Sequence, residues 1–230
     1  MKKHFLILGL ICLTLCINTS DAASNIQQEM IDFLKPKLNS DRIECFFGNY
    51  GIETLAIDSP VFPFSRITNL YSVHQEKKIM RTLAIVIFSH PLHSDLWDVH
   101  RKIIEGKSIG IALREENWTI HKNPIYFGSL SLSRNVMDWM DEPEINLAPI
   151  HMYRLEVSKN NEPDCLPYCT ILEVHNPQYL TTEWLRALYE DQYEKFSISS
   201  KEAEDLLSRL SLFLQDFPLT PDLEEHSSKK

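Results

Sequence analysis

Two periods divide the chain. Apolar and polar residues alternate through its middle, and a three-to-four spacing of apolar residues marks its ends. A two-residue period reads as strands and a 3.6-residue period as helices. The clearest alternating stretch is RITNLYSVHQEKKIMRTLAIVIF, from Arg66 to Phe88. Arg66–Val73 and Ile79–Phe88 are rich in β-branched, aromatic and aliphatic residues, and His74–Lys78 between them is polar, which predicts a β-hairpin. Further strands are expected at Asp41–Phe47 and Tyr50–Ile57, with Gly48-Asn49 as the turn between them. Trp118–Lys122, Ile125–Leu132, Met152–Ser158 and Tyr168–His175 also read as extended. In Tyr168–His175, Cys169, Ile171, Glu173 and His175 share one face, and Tyr168, Thr170, Leu172 and Val174 the other.

Helical spacing appears at Asn25–Leu38, at Asp95–Glu105 and over the short segment Arg134–Met140, with a helical turn at Ile111–Glu116. Gly106 is a natural stop for the second of these. Two more helices close the chain: Thr181–Phe196, and one that opens on the capping box Ser199-x-x-Glu202. Strands in the middle and helices at the ends predict an α+β fold. The expected architecture is a single antiparallel sheet of about six strands with helices on one face, plus a C-terminal helical pair.

The hairpin carries an awkward pair of charges. With a loop of two or four residues, Arg66 lies opposite Ile85 and Arg81 opposite Leu70. Both arginines then share a face with Leu70, Leu83, Ile85 and Ile87; an odd-length loop shifts the pairing. Two cations on an apolar face are costly unless an anion answers them. Either an internal carboxylate, such as Glu53 or Glu173, or a carboxylate-bearing ligand fits that need.

The first residues change the domain picture. MKKHFLILGLICLTLC is a basic start followed by an apolar run, and Ser20-Asp21-Ala22-Ala23 supplies small residues for cleavage after Ala22 or Ala23. This is the pattern of a secretory signal peptide, and the run is short for a membrane span. The expected division is a signal over residues 1–23, one α+β domain over 24–217, and a mobile tail over 218–230. The product would be exported, periplasmic or secreted, without stable membrane insertion after cleavage.

The 230-residue chain has 23 basic and 32 acidic residues, net −9. Loss of residues 1–22 removes Lys2, Lys3 and Asp21 and leaves 21 against 31, net −10. No basic block survives except Lys229-Lys230, so nucleic acid and anionic membrane are poor partners. Cys45, Cys165 and Cys169 remain, and an odd count leaves at least one thiol over. Cys165-Leu-Pro-Tyr-Cys169 is a candidate disulfide loop. His90-Pro-Leu-His93 with Asp95 and His100 is the densest histidine group, but no HExxH-type spacing supports a metal. No Gly-x-Ser-x-Gly elbow occurs, and Gly106-Lys107-Ser108-Ile109-Gly110 lacks the Walker spacing.

The order of these pieces resembles chorismate lyase, a family that splits chorismate into 4-hydroxybenzoate and pyruvate. DRIECFFGNYGIETL is similar to the family's early strand pair, and SRITNLYS…IMRTLAIVIF to its central hairpin, with an arginine on the first strand and an Arg-Thr pair on the second. GKSIG is similar to its Gly-Lys-Thr-Pro-Leu-Gly loop with one residue fewer, and YRLEVSKNNEPDCLPYCTILEVHNPQYL to its last two strands. The similarity spans about residues 41–180 and leaves 181–217 as a helical extension.

This resemblance implies that Arg66 and Arg81 hold ligand carboxylates and that Ser108, Ile109 and Gly110 lie over the ligand. It also implies that Glu173 handles a proton, with no metal or organic cofactor. Alignment on Pro177-x-Tyr179 instead puts Thr170 opposite the family's glutamate. Chorismate is cytosolic and this chain carries an export signal. The same fold also serves effector-sensing domains that bind small molecules without chemistry. The expectations are therefore a small anionic ligand with or without elimination of pyruvate, or an interaction protein using its C-terminal helices.

Overall fold

The computed structural model describes residues 21–142, 147–159, 164–193 and 200–215. Its hairpin is β2 (Ser65–His74) and β3 (Lys77–Phe88), joined by the two-residue turn Gln75-Glu76. Both turn residues have positive φ, 48° and 68°, the backbone that lets a two-residue turn follow the twist of its strands. Pairing is regular from His74–Lys77 to Tyr71–Met80. There Arg81 is inserted as a bulge, so that Leu70 pairs with Thr82 and Arg66 with Val86.

A one-residue slip exchanges the faces of a strand. Arg66 therefore shares its face with Thr68, Leu70, Ala84 and Val86, whereas Ile67, Leu83 and Ile85 point to the other side. The two-residue loop is within the sequence expectation. The expected pairing of Arg66 with Ile85 is not, because the bulge intervenes.

Around this hairpin stands one six-stranded antiparallel sheet in the order β1-β2-β3-β6-β5-β4. The other strands are β1 (Gly51–Ile57), β4 (Trp118–Ser131), β5 (Leu147–Lys159) and β6 (Leu166–His175). The α+β class and the single antiparallel sheet are as the sequence predicts. The two extended segments expected at Trp118–Lys122 and Ile125–Leu132 are one strand, β4, with an irregularity between Pro124 and Tyr126.

Helices cover both faces of the sheet rather than one. On the first face, α5 (Arg134–Met140) and α7 (Ser200–Gln215) bury Val136, Met140, Leu206 and Leu210 against Leu83, Ile85, Ile150 and Leu172. On the second lie α1 (Asp21–Leu34), α2 (Asn39–Phe47), α3 (Trp97–Ile104), α4 (Ile109–Glu115) and α6 (Thr182–Tyr193). The C-terminal pair thus splits, and the apolar stripes of both its helices are spent on the sheet.

Asp41–Phe47 is helical, a correction to the strand expected there. Ile43, Phe46 and Phe47 recur at helical spacing. Asp41 lies in the first turn, and Gly48 closes the helix at φ 76° with its N–H on the Glu44 carbonyl. The expected signal cleavage site falls within the first turn of α1, and residues 1–20 lie outside the described residues, as does the expected tail. Among the described residues no helix is long and apolar enough to cross a membrane.

Candidate functional site

Between the second face of the sheet and helices α2 and α4 lies a cavity of about 80 Å³. Its walls are mostly aliphatic, from Ile52, Val86, Ile120, Leu155 and Ile171 on five strands. Strand alternation places them: each occupies a position whose side chain faces the helices, while its neighbours face the other core. Leu38 and Gly110 meet at the rim. A Cβ on Gly110 would stand 2.3 Å from Leu38 Cδ1, so glycine is what allows the two segments to close this tightly.

One carboxylate belongs to the lining. Glu173 sits on β6 between Ala84 of β3 and His151 of β5 and is 5% exposed. Asn39 Nδ2 donates to its Oε1 at 3.2 Å, His151 Nδ1 lies 3.7 Å and His175 Nε2 3.8 Å from its Oε2. Behind them, Tyr179 donates to Asn39 Oδ1 at 2.6 Å, and Thr82 Oγ1 joins Asn39 Nδ2 at 3.1 Å and His175 Nδ1 at 3.0 Å. Burial pushes both imidazoles down to about 4, so both rings are neutral at pH 7. Burial alone would raise the Glu173 carboxyl, but His151, His175 and Lys122 outweigh it and hold it below the usual carboxylate range. The cavity floor is thus an ionised carboxylate that accepts from Asn39 and lies beside two neutral imidazoles.

Arg66 is 1% exposed and lines the same cavity, yet its guanidinium is committed. Nη1 donates to the carbonyls of Ile103 at 2.6 Å and Lys107 at 2.8 Å, Nη2 to Gly106 at 3.2 Å, and Nε to Thr54 Oγ1 at 3.2 Å. Four of its five N–H groups are so used. The Ile103 carbonyl is in the last turn of α3, where it also accepts the Gly106 N–H at 3.0 Å, and the Gly106 and Lys107 carbonyls follow just past it, so the cation meets the negative end of the helix dipole. Gly106 leaves the helix at φ 113°, a conformation glycine takes easily. The awkward charge is therefore answered by a helix terminus, neither by Glu53 or Glu173 nor by a ligand. Arg42, 2% exposed, repeats the device: Nε donates to Leu34 O at 2.9 Å and Nη2 to Lys35 O at 3.1 Å, closing α1.

The structure brings Arg66, Ser108, Ile109, Gly110 and Glu173 to one cavity. Arg81 is not among its lining residues. As the bulged residue, its Nε donates to Ser72 Oγ at 2.9 Å and its guanidinium lies 3.8 Å over the Phe47 ring. Burial lowers its pKa to about 10 although Asp141 and Glu142 oppose this. Thr170 pairs with Ile87 and Arg154 one step off the Glu173 face. Cys165 and Cys169 are both free thiols, the first exposed and the second buried. Four residues of near-extended chain separate them by roughly 13 Å at 3.2–3.4 Å each, beyond the 4.4–6.8 Å a disulfide spans, so the candidate disulfide is corrected.

His93 lies 3.9 Å from Asp95, and His100 Nδ1 lies 3.3 Å from the Tyr168 hydroxyl. Among the described residues no group of three or more His, Cys, Asp or Glu has metal-holding geometry. Sequence reasoning missed Lys122, Asn39 and His151. His175 was placed on the Glu173 face by alternation, and the same alternation along β4 puts Lys122 two residues from Ile120. Nothing local marks His151, whose role exists only once β5 lies beside β6. No family model matches the chain, and no curated protein matches it either.

Proposed function

We propose that the protein binds a small cyclic or aromatic carboxylate in this cavity, on a chorismate-lyase-like architecture, and that binding rather than elimination is its role. The observation that carries the reading is Glu173. Burying an ionised carboxylate costs several kcal/mol. This one faces a cavity while Arg66, on the same lining, is spent largely on backbone carbonyls. A carboxylate so placed accepts a hydrogen bond from a ligand hydroxyl, and Lys122 on the same lining offers the charge for a ligand carboxylate. Apolar walls take the ring. A cavity of about 150 Å³ accepts benzene, so Leu38 at the rim must yield for a ring to seat fully.

The resemblance implies two arginines converging on the ligand. Arg81 lies off the lining and Arg66 retains one uncommitted N–H, which favours binding without turnover. Elimination is the second reading, supported by the ionised Glu173 as a proton acceptor in a water-poor site. Calorimetric titration with 4-hydroxybenzoate tests the first: saturable binding is expected, weakened about tenfold or more in Glu173→Gln because a charge-assisted hydrogen bond is lost, and unchanged in Arg81→Ala. No saturation overturns the reading. Incubation with chorismate tests the second, since appearance of 4-hydroxybenzoate with pyruvate would establish turnover.

A further inference from the structure

Behind Glu173 stands a circuit of buried polar side chains drawn from four places in the chain. Asn39 opens α2, Thr82 is on β3, Glu173 and His175 are on β6, and Tyr179 follows β6. Asn39 joins three of them. Its Nδ2 carries two hydrogens; one goes to Glu173 Oε1 at 3.2 Å and the other to Thr82 Oγ1 at 3.1 Å. Its Oδ1 accepts from the Tyr179 hydroxyl at 2.6 Å. The Tyr179 ring is itself held, edge-on to Phe46 at 5.7 Å and beside Phe47 at 6.0 Å. An amide turned the other way would set Oδ1 against an ionised carboxylate, so the neighbours on both sides settle its orientation.

The other donors follow in order. Thr82 Oγ1 already accepts from Asn39, and its own proton is free for His175 Nδ1 at 3.0 Å. His175 Nε2 has no hydrogen-bond partner among the described residues and lies 3.8 Å from Glu173 Oε2. A bare nitrogen there would turn its lone pair on a carboxylate, whereas an N–H turns its positive end toward it. The neutral ring therefore carries its proton on Nε2 and accepts at Nδ1. Glu173 closes the circuit as an acceptor. It keeps lone pairs for a further donor and has no proton of its own to offer.

We propose that Asn39 is the positioning residue of the cavity: it aims Glu173, sets the His175 tautomer through Thr82, and so makes the site select a ring bearing a hydrogen-bond donor over the same ring without one. The tautomer rests on the circuit alone. The selection rests also on the reading of the cavity as a site for a cyclic or aromatic carboxylate. A hydroxyl or amino group on the ring satisfies the buried acceptor. A fluorine of similar size leaves it unpaired, which a site built around a buried polar group tolerates poorly.

Two measurements on the full chain test the two halves. Nitrogen-15 NMR of histidine-labelled protein at pH 7, with His175 assigned by its loss in His175→Gln, should show a protonated Nε2 and a bare Nδ1. In Asn39→Asp the side chain no longer donates to Thr82. Thr82 then donates to it and is left to accept, so the His175 proton should appear on Nδ1. Calorimetric titration should give 4-hydroxybenzoate and 4-aminobenzoate at least about tenfold tighter binding than 4-fluorobenzoate. Tyr179→Phe keeps the ring and removes only the hydroxyl that holds the amide, so it should cut that ratio severalfold and leave 4-fluorobenzoate affinity unchanged. Asn39→Asp should abolish the preference.

A parent protein with His175 protonated on Nδ1, or an Asn39→Asp variant that leaves Nδ1 bare, overturns the circuit. Equal binding of 4-hydroxybenzoate and 4-fluorobenzoate overturns the selection while the cavity reading stands. So does a preference that survives Tyr179→Phe and Asn39→Asp, or a loss that weakens all three ligands alike. If none of the three ligands binds and the tautomer is as assigned, the cavity reading falls and the circuit stands. Where Asn39→Asp does not fold, the parent tautomer and the Tyr179→Phe ratio decide.

Discussion

The two faces of the sheet are built from the same six strands and solve different problems. On the face under α5 and α7, Ile67, Leu83, Ile85, Ile150, Leu172 and Val174 are each at most 1% exposed. On the face under α1–α4 and α6, the equivalent central positions hold Arg66, Thr68, Thr82, His151, Glu173 and His175, all at most 5% exposed. Apolar burial gives about 25 cal/mol per Å² without orientation. A buried polar group gives little net stability and costs about 1–3 kcal/mol if left unpaired. One face is thus a stabilising layer, and the other spends stability on groups held at fixed positions around a cavity. Polar burial of this density beside a cavity is what a recognition site needs.

The largest expected consequence is in acid. His151 and His175 titrate near 4 in the fold and near 6.5 when unfolded, so below about 6.5 the unfolded chain binds protons that the native chain refuses. The stability they contribute is complete above that range and is lost as pH falls toward 4. Glu173, held below its ordinary value, extends the loss below about 4.5. Each proton taken up on unfolding adds about 1.4 kcal/mol per pH unit to the slope. Melting temperature measured from pH 7 to pH 4 should drop steeply, and a His151→Phe/His175→Gln variant should show a shallower slope. Equal slopes would mean that the polar face is not what fails in acid.

At pH 7 the ranking of the faces reverses. Leu83→Ala, at the centre of the apolar face, should cost about 2–5 kcal/mol through lost burial and a cavity. Thr68→Val, on the cavity wall, removes one hydroxyl bonded to Ala84 O at 3.3 Å and should cost less than about 1.5 kcal/mol. Urea unfolding of the two variants gives the comparison directly. A Thr68→Val cost equal to that of Leu83→Ala would show that the faces share stability evenly.

How far the sequence reveals each face follows from the same physics. The α+β class and most strands were legible because alternation repeats along β2, β3, β5 and β6. That Glu173 and not Thr170 faces the cavity was legible as one of two faces, not as a choice between them. The face of Arg66 was not legible, because one bulged residue, Arg81, inverts the register and leaves the local pattern unchanged. The α2 helix is not legible because Asp41–Phe47 mixes apolar and polar residues in a short run, and its stop at Gly48 reads equally as a hairpin turn. The partners of Arg66 were beyond reach, since backbone carbonyls carry no residue type.

Arg66→Lys separates the structural use of that cation from the ligand-binding use implied by the resemblance. A lysine keeps the charge but cannot bridge the Ile103, Gly106 and Lys107 carbonyls as a planar fork does. It should cost about 1–3 kcal/mol and speed amide exchange across residues 105–110, with ligand affinity changing only through the loosened loop. A variant of native stability with binding abolished would return Arg66 to the ligand.

The smallest effect comes from the turn that both faces share. Gln75 and Glu76 hold positive φ without glycine or asparagine, which costs conformational energy in each. Replacing the pair by Asn-Gly, the residues this turn favours, should add about 0.5–1 kcal/mol. It should leave 4-hydroxybenzoate affinity unchanged, because the bulge at Arg81, five residues beyond the turn, sets which side chains face the cavity. Denaturant midpoint and ligand titration on the same variant decide the point. If binding is lost along with the strained turn, the turn and not the bulge holds the register, and the division of labour between the two faces rests on Gln75 and Glu76.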